Sequence, residues 1–389
     1  MKSNSVSNCF VSPITNCWGE KEQIEINTEC RLVFRGSKGA AFNHHPQITA
    51  AFGRLYATWS CGDLDEDDVG QRMVMSVSED GGVTWTTPCT IVERANAEYA
   101  PAVITNGGIR VFQDQLIAYY GYYEFTRAGL ADGRRQQKGA GEAPVDQWWH
   151  QNTYCGAMVS DDSGVTWKDQ GIVVDRFVPN WGPHLTSTGR LIMPGNLWFP
   201  YTDDPVGTNP WYVTGLPRLP DWYVDDPEGF HRGCRYRGDA REYCEGSFFE
   251  TDDGVLHMML RTNQNRLAVS TSHDHGQTWS EPCMTSFVDD NSKHMFGRLP
   301  DGRFYGLSTP KPNSGRTPLV MALSEDGVVF DRHFLLGSEP CGVPRMEGLH
   351  KGGRYGYPHL IMVEGIGFVI YSVFKEDIVV CRFPLNALK

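Results

Sequence analysis

At 389 residues the chain exceeds one ordinary core of roughly 100–200 residues, which leaves a repeat architecture, a barrel or a propeller. With 40% apolar, 12% aromatic and 21% charged residues it is globular, and its 42 Gly and 23 Pro point to many short strands joined by tight turns. A net charge of −12 excludes a phosphate-tracking nucleic-acid binder, but a local Arg cluster can still hold a small anionic substrate.

The first 22 residues hold no apolar stretch of signal-peptide length, and no run approaches the ~20 apolar residues that cross a bilayer. A cytoplasmic protein with no membrane partner is therefore expected. The eleven cysteines form no C-x-x-C pair and no zinc-like grouping with His, which predicts free thiols rather than disulfide staples. Residues 23–36 read as a lone strand. Six segments follow, each a channel-end residue, a strand, a Gly-containing turn and a second strand. They start at His44, Tyr99, Trp181, Glu245, Lys293 and Tyr355. With the loops allowed for, their spacing is near the ~40–50 residues of a four-stranded propeller blade. The sixth ends close to the C-terminus, so residues 23–36 are expected to supply its outer strand and close a single 1–389 ring.

Two insertions interrupt the plan. Residues 124–152 are polar and Gly-rich, with Arg127, Arg134, Arg135 and Lys138. Residues 200–243 carry Trp211, Tyr212, Trp222, Tyr223, Phe230 and His231. The second suits either a platform on which a sugar ring stacks or a long outer hairpin covering a blade edge.

A shorter repeat lies inside the longer one. Ser78-Glu-Asp80-Gly-Gly82-Val-Thr84-Trp85 recurs as Ser160-Asp-Asp162-Ser-Gly164-Val-Thr166-Trp167 and as Ser272-His-Asp274-His-Gly276-Gln-Thr278-Trp279. A one-residue-shorter version runs from Ser324 through Asp326 to Phe330. Asp and Ser can bond the turn's own N–H groups, Gly accepts positive φ, and the aromatic anchors the next strand. Three full copies of S-x-D-x-G-x-T-W resemble the Asp box of the sialidase-like β-propellers. That resemblance implies an all-β, six-bladed, sialidase-like propeller.

In a propeller, ligands bind where the innermost strands converge. The blade starts offer His44 and His45, Glu98 and Tyr99, Trp181 and His184, Glu242 and Glu245, Lys293 and His294, and Tyr355, Tyr357 and His359. The stretch from Cys244 to Pro282 is similar to the sialidase segment that opens on a functional Glu and closes its second strand on an Arg. On that match Glu245 is the carboxylate partner of a Tyr nucleophile, and Arg261 binds the substrate carboxylate. GRTPLVMALSEDG, similar to a later stretch, places a second such Arg at Arg316. RYGYPHLIMVEG supplies the tyrosine, either Tyr355 or Tyr357. The chemistry needs these types. Guanidinium forks grip a carboxylate bidentately, and a phenol of pKa ~10 attacks only if a carboxylate takes its proton. For the general acid the resemblance implies an Asp of the first-blade loop, CGDLDEDDVGQ, where Asp63 or Asp65 is preferred over Asp67 and Asp68.

One departure matters. The family's first blade opens with Arg-Ile-Pro, and here the place reads His44-His45-Pro46. Two adjacent strand residues point to opposite faces, so at most one of these imidazoles should reach the channel. The reading is an exo-glycosidase for a terminal sialic acid-like or uronic acid residue of an oligosaccharide or glycoconjugate. A lyase using a channel His as base and Tyr as acid, or a propeller that only binds glycans, are the alternatives. No nucleotide-binding, Ser-hydrolase or H-E-x-x-H pattern is present, and twelve histidines without ligand spacing support no metal or other cofactor.

Overall fold

The computed structural model describes residues 11–93, 102–125, 150–217, 242–348 and 350–389. β1 (Gln23–Glu25) and β2 (Glu29–Phe34) precede a first sheet of β3 (Phe42–Ala51), β4 (Arg54–Gly62), β5 (Arg72–Ser78) and β6 (Cys89–Val92). The second sheet holds β7 (Ala102–Phe112), β8 (Gln115–Phe125), β9 (His150–Ser160) and β10 (Lys168–Asp175). The third is shorter, with β11 (His184–Leu185), β12 (Leu191–Ile192) and β13 (Tyr201–Thr202). β14 (Tyr243–Glu250), β15 (Leu256–Thr262), β16 (Arg266–Ser272) and β17 (Cys283–Val288) make the fourth. The fifth is built from β18 (Met295–Arg298), β19 (Phe304–Ser308), β20 (Leu319–Ser324) and β21 (Arg332–Gly337). The sixth contains β22 (Tyr355–Val363), β23 (Ile366–Val373) and β24 (Asp377–Pro384). No helix among the described residues is long and apolar enough to cross a membrane.

The ring is visible in how the apolar faces are used. Each pair of neighbouring sheets shares one buried cluster. Tyr56, Met73 and Tyr120 join the first two sheets, and Tyr119, Cys155 and Met193 join the second and third. Phe199, Tyr243 and Met258 join the third and fourth, and Phe249, Phe287 and Phe330 the fourth and fifth. Leu307, Met321 and Val369 join the fifth and sixth, and Trp59, Ile370 and Val380 return from the sixth to the first. Strands covered on both faces lose the polar alternation, and β20 is buried at every position. Burying each large side chain contributes ~1.5–3 kcal/mol, so the core is spread around the wheel as six wedges.

Closure follows the sequence expectation with one change. β2 pairs antiparallel with β24 as the sixth sheet's outer strand, whereas residues 23–25 leave it and pair parallel with β21 of the fifth sheet. The free-thiol expectation fails at this seam. Cys30 faces Cys381 across the β2–β24 ladder, and the two form a disulfide. A separation of 351 residues hid the pair from any spacing rule. The described part of the second insertion completes the third blade: Tyr201 bridges Tyr212, and Trp198 bridges Gly215. Residues 126–149 and 218–241 lie outside the described residues, and with them the first insertion's basic cluster and Trp222, Tyr223, Phe230 and His231.

The short repeats sit in the turns between third and fourth strands. In the second, Ser160 Oγ donates to Asp162 Oδ1 at 2.8 Å, Gly164 N donates to Ser160 Oγ at 2.8 Å, and Thr166 N and Oγ1 donate to Asp162 at 2.8 and 2.6 Å. Gly164 has φ +89°, which a side chain would strain. These turns lie at the opposite ends of the blades from the innermost strands' N-termini. Asp162→Ala should therefore cost about 1–2 kcal/mol in urea unfolding and leave the folded protein's activity unchanged.

Candidate active site

Three of the innermost strands, β3, β14 and β22, are irregular near their N-terminal ends. Their ladders shift register between His44 and Gln47, Cys244 and Ser247, and Gly356 and His359. One residue inside each shift has positive φ: His45 at +54°, Glu245 at +50° and Tyr357 at +55°. Such a bulge re-aims a side chain, at a cost of ~1–3 kcal/mol for a non-glycine residue in this region. Three polar side chains are thereby turned into one space at the hub.

Glu245 Oε2 lies 2.5 Å from Arg261 Nη1, which also donates to Tyr357 Oη at 3.4 Å and so links the carboxylate to the phenol. Arg261 arrives at the end of β15, opposite Cys244. The Glu245 backbone N–H is held by Asn196 Oδ1 at 3.1 Å, and Asn196 by Asn180 Nδ2 at 2.8 Å. Lys293 donates to the Asn180 carbonyl and stands 3.7 Å over the Trp181 ring and 5.0 Å from the Tyr357 ring. The Arg316 guanidinium is 5.9 Å from the Tyr357 ring. Arg316 Nη2 donates to Asn291 O at 3.1 Å, while Nη1 is buried with no hydrogen-bond partner. On the other side of the phenol, the rings of His44 and His45 lie 4.0 and 5.2 Å from it.

Electrostatics follow from that crowding. Burial pushes the Glu245 carboxyl up, but Arg261, Lys293 and the Tyr357 hydroxyl outweigh it and hold the group at about 2. Burial, reinforced by Glu245, raises the Tyr357 phenol well above its usual value. Lys293 is lowered to about 7 by burial, partly offset by Glu245. Burial also keeps His44 far below 6.5 and His45 at about 3, so both are neutral. Asp289, buried beside Arg261 and Arg316, is raised to about 7 by desolvation. Because Glu245 is lowered in the folded state, its stabilising contribution is present above about pH 4.5 and is lost as the pH falls toward 2. Glu245→Gln should flatten that part of the acid-unfolding curve, by an amount on the order of 3 kcal/mol, read by circular dichroism from pH 5 to 2.

The hub gathers Tyr357, Glu245, Arg261, Arg316, Lys293, His44 and His45. Tyr355 is not among them: it is buried in the blade and donates its hydroxyl to Glu339. The expectation that only one of the adjacent histidines faces the channel is overturned, because the bulge at His45 brings the ring centroids within 4.6 Å on one side. Asp63 is exposed and paired with Arg72 at 3.3 Å. Asp65 is buried in its own loop, accepting from the backbone N–H of Glu66 at 2.9 Å and of His350 at 3.2 Å. The acid of this loop that reaches the hub is Glu66, which pairs with Lys375 and lies 3.7 Å from His45 Nε2. The acidic run was legible, but nothing local distinguished Glu66 from its neighbours.

Other candidates are placed elsewhere. Trp181 is fully buried beneath Lys293 and presents no open face. His294 is buried with Nε2 3.2 Å from the Met259 carbonyl, and burial lowers it to about 4. His184 packs on Phe248 and, with His359, lines a cavity of about 580 Å³ formed by Phe248–Glu250, Met295–Arg298 and residues 359–361, a lining that includes neither Glu245 nor Tyr357. Tyr99 and Glu98 lie outside the described residues.

The arrangement has relatives. The family model of the BNR repeat-like domain matches residues 142–370, more than half of the chain. The anhydrosialidase of Macrobdella decora is 29% identical over 188 residues, a match that takes in 42% of this chain and only 22% of that protein. The intramolecular trans-sialidase of Ruminococcus gnavus, solved with oseltamivir carboxylate, superposes with a TM-score of 0.62 at 16% identity, over 92% of this chain and 98% of that one. Trypanosoma rangeli sialidase gives a TM-score of 0.60 at 14% identity, over 93% of this chain and 60% of that one. With its four short turn repeats and six wedge-sharing sheets, the chain belongs to the BNR repeat-like domain family and has the fold of a sialidase-like six-bladed β-propeller.

Proposed function

We propose that this protein is a sialidase-like glycoside hydrolase that removes a terminal acidic sugar, sialic acid-like or uronic, from a glycan. The observation that carries the reading is the hydrogen-bonded set of Tyr357, Glu245 and Arg261 in one buried hub. Arg261 and the unspent Nη1 donor of Arg316 supply a clamp for the sugar carboxylate. In the free protein Arg261 holds Glu245 ionised and weakly basic. A substrate carboxylate that shares Arg261 weakens that hold, and Glu245 becomes a better base as the sugar arrives. The Tyr357 oxygen then bonds to the anomeric carbon while its proton passes to Glu245, and the bond to the leaving oxygen breaks as that oxygen takes a proton from solvent water. Water releases the sugar in a second step, with Glu245 returning the proton to the phenol. The names of the relatives, an anhydrosialidase and a trans-sialidase, agree with this class of substrate.

A second reading rests on His44, whose neutral ring lies 4.0 Å from that of Tyr357, tilted by 42°, with an unpartnered Nε2. Such an imidazole can take the proton α to a uronate carboxylate, with Tyr357 protonating the leaving oxygen. The test is a panel of sialosides and uronides followed by aglycone release, reducing sugar and near-ultraviolet absorbance. Aglycone release without new absorbance is expected. A conjugated double bond in the product would replace hydrolysis by elimination, and glycan binding without any product would leave a binding propeller.

A further inference from the structure

Beside Tyr357 lie three donor atoms that the hydrolytic chemistry leaves unused. His44 is fully buried; its Nδ1 is 2.7 Å from Ser372 Oγ, and its Nε2 has no hydrogen-bond partner. His45 has Nδ1 3.0 Å from Ser60 Oγ and Nε2 3.7 Å from Glu66 Oε1. One ligand atom from each of the three residues lies within 4.8 Å of the other two. We propose that His44, His45 and Glu66 form a binding site for one divalent first-row transition-metal ion, with Zn²⁺ as its type.

The donor set selects the ion. Two imidazoles and one carboxylate suit zinc and its neighbours, whereas Ca²⁺ and Mg²⁺ require mostly oxygen ligands. A metal-binding His ordinarily uses its second ring nitrogen to bond a fixed partner, and here each Nδ1 has a serine hydroxyl. Lys375 does not compete for the ligand atom, because it bonds Glu66 Oε2 and leaves Oε1 toward His45. Consecutive histidines cannot normally share an ion on a strand, since their side chains alternate in direction. The positive φ of His45 removes that obstacle. The donors stand wider apart than the ~3.4 Å of a tetrahedral zinc site, so binding draws the three side chains inward. Lys375, Lys293 and Arg316 surround His44 with positive charge, which holds the affinity down. Three protein ligands leave a fourth position for a substrate oxygen. The site does not depend on the hydrolase reading.

The test uses the full chain, stripped with a chelator and titrated with Co²⁺ and Zn²⁺ at neutral pH. One equivalent of Co²⁺ should bind with a dissociation constant on the order of micromolar or tighter, and Zn²⁺ should displace it. The visible d–d bands should appear without the near-ultraviolet charge-transfer band of a thiolate. H44A, H45A and E66Q should each weaken binding at least tenfold, and the exposed-site control H273A should not. Should any of the three fail to fold, S372A removes the Nδ1 partner of His44, together with a 3.3 Å bond to the Gly356 carbonyl, and should lower affinity about 10–100-fold. No stoichiometric binding by the wild-type chain, a thiolate band, or affinity unchanged in S372A and the folded variants would overturn the site.

Discussion

Tyr357→Phe should reduce kcat on the acidic glycoside by on the order of 10³-fold or more while leaving the melting temperature close to that of the wild type. The substitution deletes one oxygen. The ring keeps its contacts with His44 and Lys293, and Glu245 keeps the 2.5 Å pair with Arg261, so the hub loses the proposed nucleophile and little of its packing. KM should move less than kcat, because the Arg clamp is intact. Tyr355→Phe is the matched control. Its hydroxyl reaches Glu339 rather than the hub, so turnover should persist. Comparable turnover by Tyr357→Phe and the wild type would remove the covalent route and leave the phenol a structural part.

Arg261→Ala should act on stability and on binding together. Truncation leaves the Glu245 carboxylate buried without its main partner, and breaking such a pair costs ~3–5 kcal/mol. The same change takes one fork from the proposed carboxylate clamp, so KM for an acidic substrate should rise at least tenfold. The two effects separate in a double-mutant cycle with Glu245→Gln. The neutral amide no longer needs the guanidinium, so the Arg261→Ala/Glu245→Gln protein should regain much of the stability that Arg261→Ala alone loses. Activity should stay lost in the double variant, since both the clamp and the proton acceptor are gone. Additive stability losses would mean that the pair does not act as a unit.

Parts of the hub were readable before any fold was known, and the divide has a physical basis. Glu245, Arg261 and Arg316 were found because each sits in a stretch whose local pattern of turn, strand and charged end resembles a family motif. Tyr357 could not be separated from Tyr355 in this way. In a regular strand residues i and i+2 share a face, and only the register shift between Gly356 and His359 sends Tyr355 into the blade and Tyr357 into the hub. The same cause explains His44 and His45, whose convergence contradicts strand alternation. Glu66 carries no local mark in the sequence, because every acid in LDEDD looks alike until Lys375, more than 300 residues away in sequence, selects one of them.

By itself the sequence determined the wheel. Its repeats are built from bonds within a few residues, such as Ser160 to Asp162 and Asp162 to Thr166, and such bonds form wherever those side chains are spaced that way. Tertiary structure alone decided which groups meet at the centre and how the ring is latched, from the three left-handed residues at the bulges to the Cys30–Cys381 bond across the seam. Those features join positions hundreds of residues apart, and only the packing of one blade against the next sets the distance between them.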